Sequence, residues 1–551
     1  MSFLSDIFAQ LERSSDAVFL RELRENGHVD ATGVNLLQMV EQARTFLAAR
    51  GIRRGDRVAL LAANSIRWVA IDLAIMAEGF IVVPLYSRQA PAELVAMMKD
   101  CTPSLIVCGD EALRNAVERE WPDAPERVQL ADVFESRIAS ASRAGELRLD
   151  DTDPVAIIYT SGTSGEAKGV VLDANNLTHM LRCTSGRLDL LMEDHTGQDR
   201  VYHYLPFCFA GSWILLLTCL QRGSLLSLNT DLNRIAVEMA QVAPDYFLNV
   251  PQLLERTRKA VDEQITAKGG LVLKVYTNAR AAWIKKRERN ASLGDRMWLA
   301  IGNALVFPAI RKKMVGGSLR AMICGSAPLI LDTQLYFMSL GIQVLQVYGL
   351  TETTAICTMD VPGKSVPGHV GPAIDGIEMK LSDGDEIIVR GPNIFSGYWN
   401  RPQETAKALR EGWFHTGDQG EIDSAGNWRI IGRIKNLLIL GSGHNIAPEP
   451  IEDEILQGIA GAQQVVLMGN GRGYLSAIVT GKVTQEQVQT VLDGLNAGKP
   501  HYKQVRAFVV GVEPFSIENG LLTANGKLKR DLIAARYKKE IEEMYAVRRA
   551  G

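Results

Sequence analysis

The stretch YTSGTSGEAKG, residues 159–169, combines hydroxyl, glycine and lysine residues within eleven positions. Glycines let backbone N–H groups approach the oxygens of an anion, and hydroxyl and ammonium groups add donors and positive charge. The residues that can act in this way are Thr160, Ser161, Gly162, Thr163, Ser164, Gly165 and Lys168. The loop is predicted to hold phosphate, with a solvated glycine-rich turn as the alternative.

The spacing within this loop differs from that of a P-loop, where lysine directly follows glycine and precedes Ser or Thr. Lys168 follows Gly165 by three residues and precedes Gly169. The sequence therefore disfavours a P-loop NTPase.

A second polar motif, QVYGLTETTA at residues 346–355, follows an apolar run. The ring of Tyr348 could flank a flat base such as adenine. The carboxylate of Glu352 could hold Mg²⁺ beside phosphates, with water completing the shell. A helix N-terminus, which also favours Thr and Glu, is the alternative.

Two further motifs lie towards the end of the chain. In EGWFHTGDQGEI, residues 411–422, Asp418 is expected in a turn before a strand, where its carboxylate could accept both hydroxyls of a ribose. Arg433 could add a contact to sugar or phosphate, and Lys527 in NGLLTANGKLKR, residues 519–530, could reach a remote site. A turn-stabilising Asp and solvated basic side chains are the alternatives.

The bulk composition is that of a multidomain globular protein. The chain has 551 residues, 46% hydrophobic and 22% charged, which predicts two or more domains. Its net charge of −3 gives no basic field for nucleic acid. The seven cysteines form no C-x-x-C pair, and the eight histidines show no metal spacing, so reduced thiols and no zinc site are expected.

The N-terminus carries acids early and lacks a signal-peptide pattern, and no window offers the ~18 uncharged apolar residues of a membrane span. The best candidate, residues 70–86, contains Asp72 and Glu78, so a buried helix followed by a strand is preferred. The sequence predicts a cytoplasmic protein and is compatible with peripheral contact at the inner face of a membrane.

Strand and helix patterns alternate in the first half of the chain, which predicts parallel sheet with helices on its faces. Residues 267–311 are helical and basic in their first half; a solvated insertion is preferred over a surface that docks to a membrane or acidic partner. Short strands dominate after Gly384, and residues 433–551 read as a small α+β domain with one long C-terminal helix.

Taken together, in this order and at these separations, the motifs resemble the adenylate-forming superfamily of acyl-CoA synthetases, luciferase and peptide-synthetase adenylation domains. The resemblance covers about residues 36–530. Residues 244–261, the helical insertion and GGSLRAMICGSAPL resemble most closely the long-chain fatty acyl-CoA synthetase branch. The resemblance to the superfamily implies an α/β fold. Residues 1–432 would form a large N-terminal domain of parallel-rich sheets layered with helices, with a β-rich subdomain. Residues 433–551 would form a small mobile α+β C-terminal domain.

The resemblance also implies roles for individual residues. The loop from Thr160 to Lys168 would wrap the β- and γ-phosphates of ATP, and Glu352 would hold Mg²⁺. Thr351 would touch the α-phosphate, and Asp418 and Arg433 would bind ribose. The residues of the adenine slot would be Gly325, Ser326, Ala327, Tyr348 and Gly349.

Three further assignments concern the second domain and the acyl pocket. Lys527 would be the catalytic lysine of adenylation, Lys435 the hinge, and residues 441–445 a loop for the second half-reaction. In LPFCFAGSW, residues 205–213, Phe209 stands where many relatives have His, which weakens a role for histidine. Phe209 and Trp213 could border an apolar tunnel or pack against the sheet. His444 in GHN, where Glu or Lys is more frequent, is a milder departure.

The implied activity is a medium- to long-chain fatty acid–CoA ligase that uses ATP, Mg²⁺ and CoA. An acyl-AMP ligase serving a carrier-protein thiol, a CoA ligase for an aryl or branched acid, and a regulatory nucleotide-binding protein are the alternatives. Glu352, Asp418, Arg433 and Lys527 argue against the last of these.

Overall fold

The computed structural model describes residues 2–135, 149–160, 167–523 and 526–546. The strands in this part of the chain are β1 (Val18–Arg24), β2 (Gly27–Thr32), β3 (Arg57–Leu61), β4 (Ile81–Pro84), β5 (Leu105–Cys108), β6 (Arg127–Gln129), β7 (Pro154–Thr160), β8 (Lys168–Asp173), β9 (Arg200–His203), β10 (Leu225–Leu228), β11 (Tyr246–Asn249), β12 (Ala321–Cys324), β13 (Gln343–Tyr348), β14 (Thr358–Met359), β15 (Glu378–Leu381), β16 (Glu386–Arg390), β17 (Gly397–Tyr398), β18 (Leu409–Arg410), β19 (Trp413–Ile422), β20 (Trp428–Arg433), β21 (Leu438–Ile439), β22 (Asn445–Ile446), β23 (Ala462–Met468), β24 (Leu475–Gly481) and β25 (Val505–Val510).

The α-helices in the same residues are α1 (Phe3–Arg13), α2 (Gly33–Ala48), α3 (Ile66–Ala77), α4 (Pro91–Cys101), α5 (Glu111–Glu120), α6 (Leu130–Glu135), α7 (Ala174–Leu191), α8 (Ala210–Arg222), α9 (Ile235–Val242), α10 (Pro251–Lys268), α11 (Gly270–Arg287), α12 (Leu293–Ile301), α13 (Phe307–Val315), α14 (Leu331–Ser339), α15 (Pro402–Ala408), α16 (Pro448–Gly458), α17 (Gln485–Ala497), α18 (Arg530–Arg536) and α19 (Lys538–Ala546). None of these described helices is long and apolar enough to cross a membrane.

Two large sheets carry most of the strands. The eight-stranded sheet has the order β14-β13-β12-β11-β9-β10-β1-β2, and the seven-stranded sheet has the order β17-β8-β7-β4-β3-β5-β6. Their inner strands pair in parallel, while the pairs β13–β14, β1–β2, β7–β8 and β8–β17 are antiparallel. The predicted parallel-rich sheets layered with helices are confirmed. A five-stranded sheet contains β15, β16, β19 and β18, with β20 paired to β19.

Helix α3 illustrates how the sequence sets the first layers. Ser65 begins the helix by accepting a hydrogen bond from the backbone N–H of Trp68 at 3.1 Å. Every residue of the helix except Arg67 is buried, including Asp72. Residues 70–86 are therefore a buried helix followed by strand β4, as the two acids in that apolar run predict.

The helical insertion forms α11, α12, a π-helical turn at Gly302–Val306, and α13. One side of it is core, because Tyr276, Ala279 and Phe307 pack in a single buried cluster with Tyr336 of α14. The prediction of a helical insertion is confirmed, but its inner side is buried rather than solvated.

The chain divides into two compact units. Unit 1 comprises Met1–Met379, Val389–Phe414 and Asp423–Trp428; unit 2 comprises Lys380–Ile388, His415–Ile422 and Arg429–Gly551. The division at residues 432/433 stays a prediction.

Unit 2 contains a three-stranded sheet with side chains packed on both faces. Val465 and Val479 lie in one cluster with the helices α16 and α17, whereas Val466 and Ile478 pack on the other face with Ile533. This alternation is that of a strand buried on both sides. The single C-terminal helix expected from the sequence is wrong: the chain forms α18 and α19, with Tyr537 between them.

Candidate active site

The ends of the predicted phosphate loop are held by an antiparallel pair of strands. Thr160 closes β7 and Lys168 opens β8, and the two are register partners. Gly169 allows a close approach, because a Cβ there would lie 2.7 Å from the side chain of Ile157. The remaining predicted loop residues lie outside the described residues: Ser161, Gly162, Thr163, Ser164 and Gly165.

Lys168 lies against a carboxylate that the sequence did not reveal. Its Nζ is 2.6 Å from Oε2 of Glu404, at the start of α15, and 5.1 Å from the ring centroid of Tyr398. Hydrogen bonds from Lys168 and Lys407 lower the pKa of Glu404 to about 2. An anion that binds Lys168 therefore competes with an ionised carboxylate.

The predicted adenine residues occupy the ends of two neighbouring parallel strands. Cys324 of β12 pairs with Gln346 of β13, so the turn that begins at Gly325 lies beside the strand that ends at Tyr348. A Cβ on Gly325 would lie 2.5 Å from Val347. Ser326 has a φ of 71°, and Ser326 and Ala327 are exposed. The carboxyl ends of adjacent parallel strands are where ligands bind in such sheets.

The turn after Tyr348 is tight and strained. A Cβ on Gly349 would lie 2.2 Å from the carbonyl oxygen of Ala355, so only glycine fits. Thr354 and Ala355 have φ values of 51° and 93°, a region that costs about 1–3 kcal/mol for residues other than glycine. The surroundings must therefore hold this turn, which presents Thr351 and Glu352 in a short 3₁₀ helix.

Buried Asn393 and half-buried Tyr398 supply that support. The side-chain amide of Asn393 donates to the carbonyls of Thr353 and Ile356 at 3.3 and 3.4 Å. The hydroxyl of Tyr398 donates to Oε1 of Glu352 at 2.8 Å. The strained turn and the Glu352 carboxylate are thus fixed by one segment, which the sequence did not single out.

Asn176 fixes the same segment from the other side. Asn176 forms a capping box with Asp173 at the start of α7. Its Nδ2 also donates to the carbonyls of Pro392 and Ile394 at 2.8 and 2.9 Å. The helix that follows the phosphate-loop hairpin thereby positions the residues that hold Glu352.

Glu352 fits a metal that is bound mainly through its ligand. Among the described residues, no group of three or more His, Cys, Asp or Glu side chains could form a metal cage. Mg²⁺ bound beside phosphates needs only one or two protein carboxylates, with phosphate oxygens and water completing its octahedron. A single oriented carboxylate is compatible with that arrangement.

In unit 2, Asp418 lies within the ten-residue strand β19, so its expected position in a turn is wrong. The carboxylate is buried, and its Oδ1 lies 2.6 Å from Nε of Arg433, at the end of β20. An oriented, ionised carboxylate beside a guanidinium can accept hydroxyl donors and present positive charge at the same place.

Lys435 and Lys527 add two more cationic side chains near Arg433. The pKa of Lys435 is lowered to about 8, first by burial and then by the positive charges of Arg433 and Lys527. Lys527 is exposed, and its backbone N–H donates to Oγ1 of Thr523 at 3.0 Å. Unit 2 therefore gathers three cationic side chains, with the carboxylates of Asp418 and Asp531 close to Lys435.

A buried ion pair connects the lysine loop to the predicted hinge segment. Arg530, three residues after Lys527, donates two 2.6 Å hydrogen bonds to the buried carboxylate of Glu452 on α16. It also lies 3.6 Å from Glu449, whose Oε1 accepts a hydrogen bond from the side chain of Asn436. The segments carrying Lys435 and Lys527 are thus fastened to the same helix.

The residues predicted for the acyl pocket differ in exposure. Phe209, half-buried at the start of α8, has its ring centroid 5.8 Å from that of Tyr86. Trp213 is fully buried, and its ring N–H donates to Oδ2 of Asp72 at 2.9 Å. Burial raises the pKa of Asp72 to about 7, against the effect of the Trp213 hydrogen bond.

A histidine close to this segment was not predicted from the sequence to lie near the site. His203 is fully buried six residues before Phe209; its Nε2 is 2.5 Å from Oγ of Ser212, and burial lowers its pKa to about 4. Its ring stacks on Phe207 with 5.0 Å between centroids. A neutral, packed His203 is an element of the core, and its apolar neighbours give no signal that distinguishes it.

The predicted loop of the second half-reaction, residues 441–445, is the turn between β21 and β22. His444 stacks on Tyr502 with 4.2 Å between ring centroids, and its Nδ1 lies 3.0 Å from Oγ of Ser442. The residue that departs from the usual pattern is therefore held by its own aromatic partner.

All seven cysteines lie in the described part of the chain and are free; six are buried and Cys208 is half-buried. The expectation that these side chains are mostly buried is confirmed.

Known proteins align with nearly the whole chain. The long-chain-fatty-acid–CoA ligase FadD15 of Mycobacterium bovis is 24% identical, covering 98% of this chain and 96% of its own. The chloroplastic long-chain-fatty-acid–[acyl-carrier-protein] ligase AEE15 of Arabidopsis thaliana is 26% identical, covering 97% and 85%. The crystal structure of ATP-bound MatB from Rhodopseudomonas palustris superposes with a TM-score of 0.74 at 25% identity, covering 98% and 100%.

Two family models match the chain in succession. Residues 7–399 match the AMP-binding enzyme model, and residues 435–549 match the AMP-binding enzyme C-terminal domain. The first match alone spans more than half of the 551 residues. The chain therefore belongs to the AMP-binding enzyme family and has the fold of adenylate-forming enzymes.

Proposed function

We propose that this protein is an ATP- and Mg²⁺-dependent acid–thiol ligase. It activates a medium- or long-chain fatty acid as acyl-AMP and then transfers the acyl group to CoA. The observation that carries this proposal is the basic group of unit 2, in which Arg433 lies 2.6 Å from the buried carboxylate of Asp418 and Lys435 and Lys527 lie close by. Such a group suits chemistry on a polyanion, and the fatty-acid ligases aligned over almost the whole chain supply the acid class.

In the first step, an oxygen of the acid carboxylate bonds to the α-phosphorus of ATP, and the bond to the β-phosphate oxygen breaks to release pyrophosphate. Fatty acids are ionised at pH 7, so this attack needs no general base. It does need in-line positioning and cancellation of the repulsion between two anions. Lys527 is proposed to supply positive charge where negative charge builds.

The remaining nucleotide contacts divide between the two units. In unit 1, Lys168 and the loop before it are proposed to hold the β- and γ-phosphates, Thr351 the α-phosphate, and the residues at the ends of β12 and β13 the adenine. In unit 2, Asp418 and Arg433 are proposed to bind ribose. Glu352 is proposed to hold Mg²⁺, which when bound supplies positive charge to the phosphates.

In the second step, the CoA sulfur bonds to the acyl carbonyl carbon, the bond to the phosphate oxygen breaks, and AMP leaves as the thiol proton passes to solvent. An unperturbed thiol has a pKa near ~8.5, and Lys527 would obstruct its entry. Rotation at Lys435 would carry Lys527 away and bring residues 441–445 to the site. The shared anchorage of Lys435 and Lys527 on α16 is suited to such a rigid movement.

A second function has support from one relative. AEE15 acts, by its name, on an acyl-carrier protein, and it aligns with this chain about as well as FadD15 does. The alternative is therefore an acyl-AMP ligase whose acceptor is a carrier-protein thiol.

The test is to incubate the full chain with ATP, Mg²⁺, CoA and a panel of fatty, aryl and branched acids, and to follow acyl-AMP and acyl-CoA by mass spectrometry. Acyl-CoA formed from medium- and long-chain fatty acids supports the proposal. Accumulation of acyl-AMP in the presence of CoA would indicate that the acceptor is a carrier-protein thiol and not CoA. Acyl-CoA formed only from aryl or branched acids overturns the fatty-acid assignment, and nucleotide binding without any product overturns the enzyme.

The acyl pocket is tested best at Phe209, which is half-buried, because Trp213→Ala would open a cavity in the core at a cost of about 3–5 kcal/mol. Phe209→Ala is expected to change the chain-length profile of the acid panel. Leu190→Ala, at an exposed position of α7, is the matched control. An unchanged profile in Phe209→Ala would remove Phe209 from the pocket.

A further inference from the structure

The helical insertion concentrates positive charge in one part of a chain that is otherwise acidic. Residues 268–313 contain eleven Lys or Arg and two Asp or Glu, a net charge of +9, whereas the whole chain carries −3. A like-charged block of this size attracts anionic surfaces. Nothing in the proposed chemistry uses these residues.

The same segment carries large apolar side chains on its outside. Leu293 is 82% exposed, Met297 57% and Leu305 71%, and all three lie on the continuous helical stretch of α12 and the π-helical turn. Leu293 and Met297 are four residues apart and therefore neighbours on one helix face. Exposed apolar residues grouped in this way indicate an interaction surface.

The inner side of that stretch is fixed against α11, which leaves the apolar residues facing outward. A Cβ on Gly302 would lie 2.4 Å from Cβ of Ala279, so the two helices touch almost backbone to backbone. Leu299 and Val306, on the same side as Gly302, are buried. The outward side is a stable, preformed face rather than a frayed helix.

Three exposed cations lie close to these apolar residues in the chain. Lys286 lies at the end of α11 and Arg289 two residues beyond that helix, and Arg296 lies between Leu293 and Met297 in the sequence. The structure records no ion pair of these three with a described acid, whereas the neighbouring Lys285 pairs with Asp295 at 3.0 Å. We call Lys286, Arg289, Leu293, Arg296, Met297 and Leu305 the basic–apolar face.

We propose that the basic–apolar face docks the protein on an anionic phospholipid surface. Leu293, Met297 and Leu305 would enter the boundary between headgroups and acyl chains, and the surrounding cations would contact lipid phosphates. Helices with an apolar strip flanked by Lys and Arg bind such interfaces through burial of apolar area and through attraction to anionic headgroups. Loss of either the charges or the apolar side chains is therefore expected to weaken binding. The inference does not depend on the proposed function.

The test is cosedimentation of the full chain with vesicles of phosphatidylcholine alone and of equimolar phosphatidylcholine and phosphatidylglycerol. Wild type is expected to bind the anionic vesicles, and the bound fraction is expected to fall as salt rises because screening shortens the reach of charge. The combined variant Lys286→Glu, Arg289→Glu, Arg296→Glu is expected to bind at least ~100-fold more weakly. The variant Leu293→Ser, Met297→Ser is expected to bind at least ~10-fold more weakly.

Matched controls make the same changes at exposed positions elsewhere. Lys364→Glu, Lys538→Glu, Lys539→Glu alters the net charge equally, and Leu190→Ser, Val512→Ser removes equivalent exposed apolar groups. Both controls are expected to bind vesicles as wild type does, and thermal unfolding checks that each variant folds.

Absence of wild-type binding to anionic vesicles, or equal loss in the controls and in the face variants, would overturn the proposal. Binding to an acidic carrier protein that requires the basic–apolar face, without binding to vesicles, would assign the face to a protein partner instead.

Discussion

The two units place charge in opposite ways around their predicted site residues. In unit 1, Lys168 pairs with the single carboxylate of Glu404, and Glu352 accepts a hydrogen bond from Tyr398. In unit 2 three cationic side chains lie close together, and the pKa of Lys435 is lowered first by burial and then by the charges of Arg433 and Lys527. We therefore expect unit 1 to orient a ligand and unit 2 to supply positive charge.

The largest expected effect tests the delivery of charge by unit 2. Lys527→Ala should lower the rate of adenylation by about 10³-fold, because a charge placed at the developing transition state is lost. Thioester formation from supplied acyl-AMP should change only a few-fold. Single-turnover assays of the two half-reactions measure both rates.

Lys539→Ala removes an exposed lysine of the same unit and should leave both rates unchanged. Equal losses in both half-reactions of Lys527→Ala would contradict the role given to Lys527.

The second prediction compares the ion pairs of the two units. Arg530→Met should destabilise the fold by about 3–5 kcal/mol, because it leaves the buried Glu452 carboxylate without its bidentate partner. Urea-induced unfolding of the full chain measures the free energy.

Two variants complete that comparison. The double variant Glu452→Leu, Arg530→Met should recover most of the loss, since no charge stays buried. Glu404→Gln in unit 1 should cost far less than Arg530→Met, because the Glu404 carboxylate is within reach of solvent and its ion pair is screened. If Glu404→Gln lowers the free energy of unfolding as much as Arg530→Met does, the expected difference between the two ion pairs is wrong.

The third prediction tests orientation in unit 1. Glu352→Gln should lower kcat/KM for adenylation by about 10²-fold and raise the Mg²⁺ concentration needed for half-maximal rate. Tyr398→Phe removes one hydrogen bond to the carboxylate and should cost about 10-fold. Initial rates measured across a Mg²⁺ series distinguish the two. If the Mg²⁺ dependence of the rate is unchanged in Glu352→Gln, Glu352 is not a ligand of the metal.

The two units also predict opposite pH slopes of stability. Burial raises the pKa of Asp72 in unit 1 to about 7 from 3.8, so the folded state binds more protons between these values and stability falls as pH rises from about 4 to 7. The pKa of Lys435 in unit 2 falls to about 8 from 10.5, so the unfolded state binds more protons and stability rises between pH 8 and 10.5.

Thermal unfolding across pH should show each slope, and variants identify its source. Asp72→Asn should flatten the acid-side slope, and Lys435→Gln the alkaline one. If Lys435→Gln keeps the wild-type alkaline slope, the buried Lys435 and its cationic neighbours are not the source of that slope.

Much of this arrangement could be predicted from the sequence, because the signals are local. The periodicity of residues 57–86 gave β3, α3 and β4, and polar turns after apolar runs indicated the ends of β12 and β13. Helix and strand patterns over a few turns need no knowledge of distant partners.

The groups that complete the site could not be predicted in this way. Glu404 lies 236 positions from Lys168, and Tyr398 lies 46 positions from Glu352. Asp418 was expected in a turn before a strand, but its segment is paired within a strand. Tertiary pairing decides these cases, and no local pattern encodes it.

The double role of Asn176 has a consequence for synthesis of the chain. The carbonyls that its side-chain amide contacts belong to residues made 216 and 218 positions later. At about 5–20 residues per second, a ribosome needs roughly 10–40 s to reach them. Until then α7 can form, but the segment that fastens Glu352 does not yet exist. The nascent protein therefore completes its phosphate-loop hairpin long before it can orient the carboxylate that the hairpin is proposed to serve.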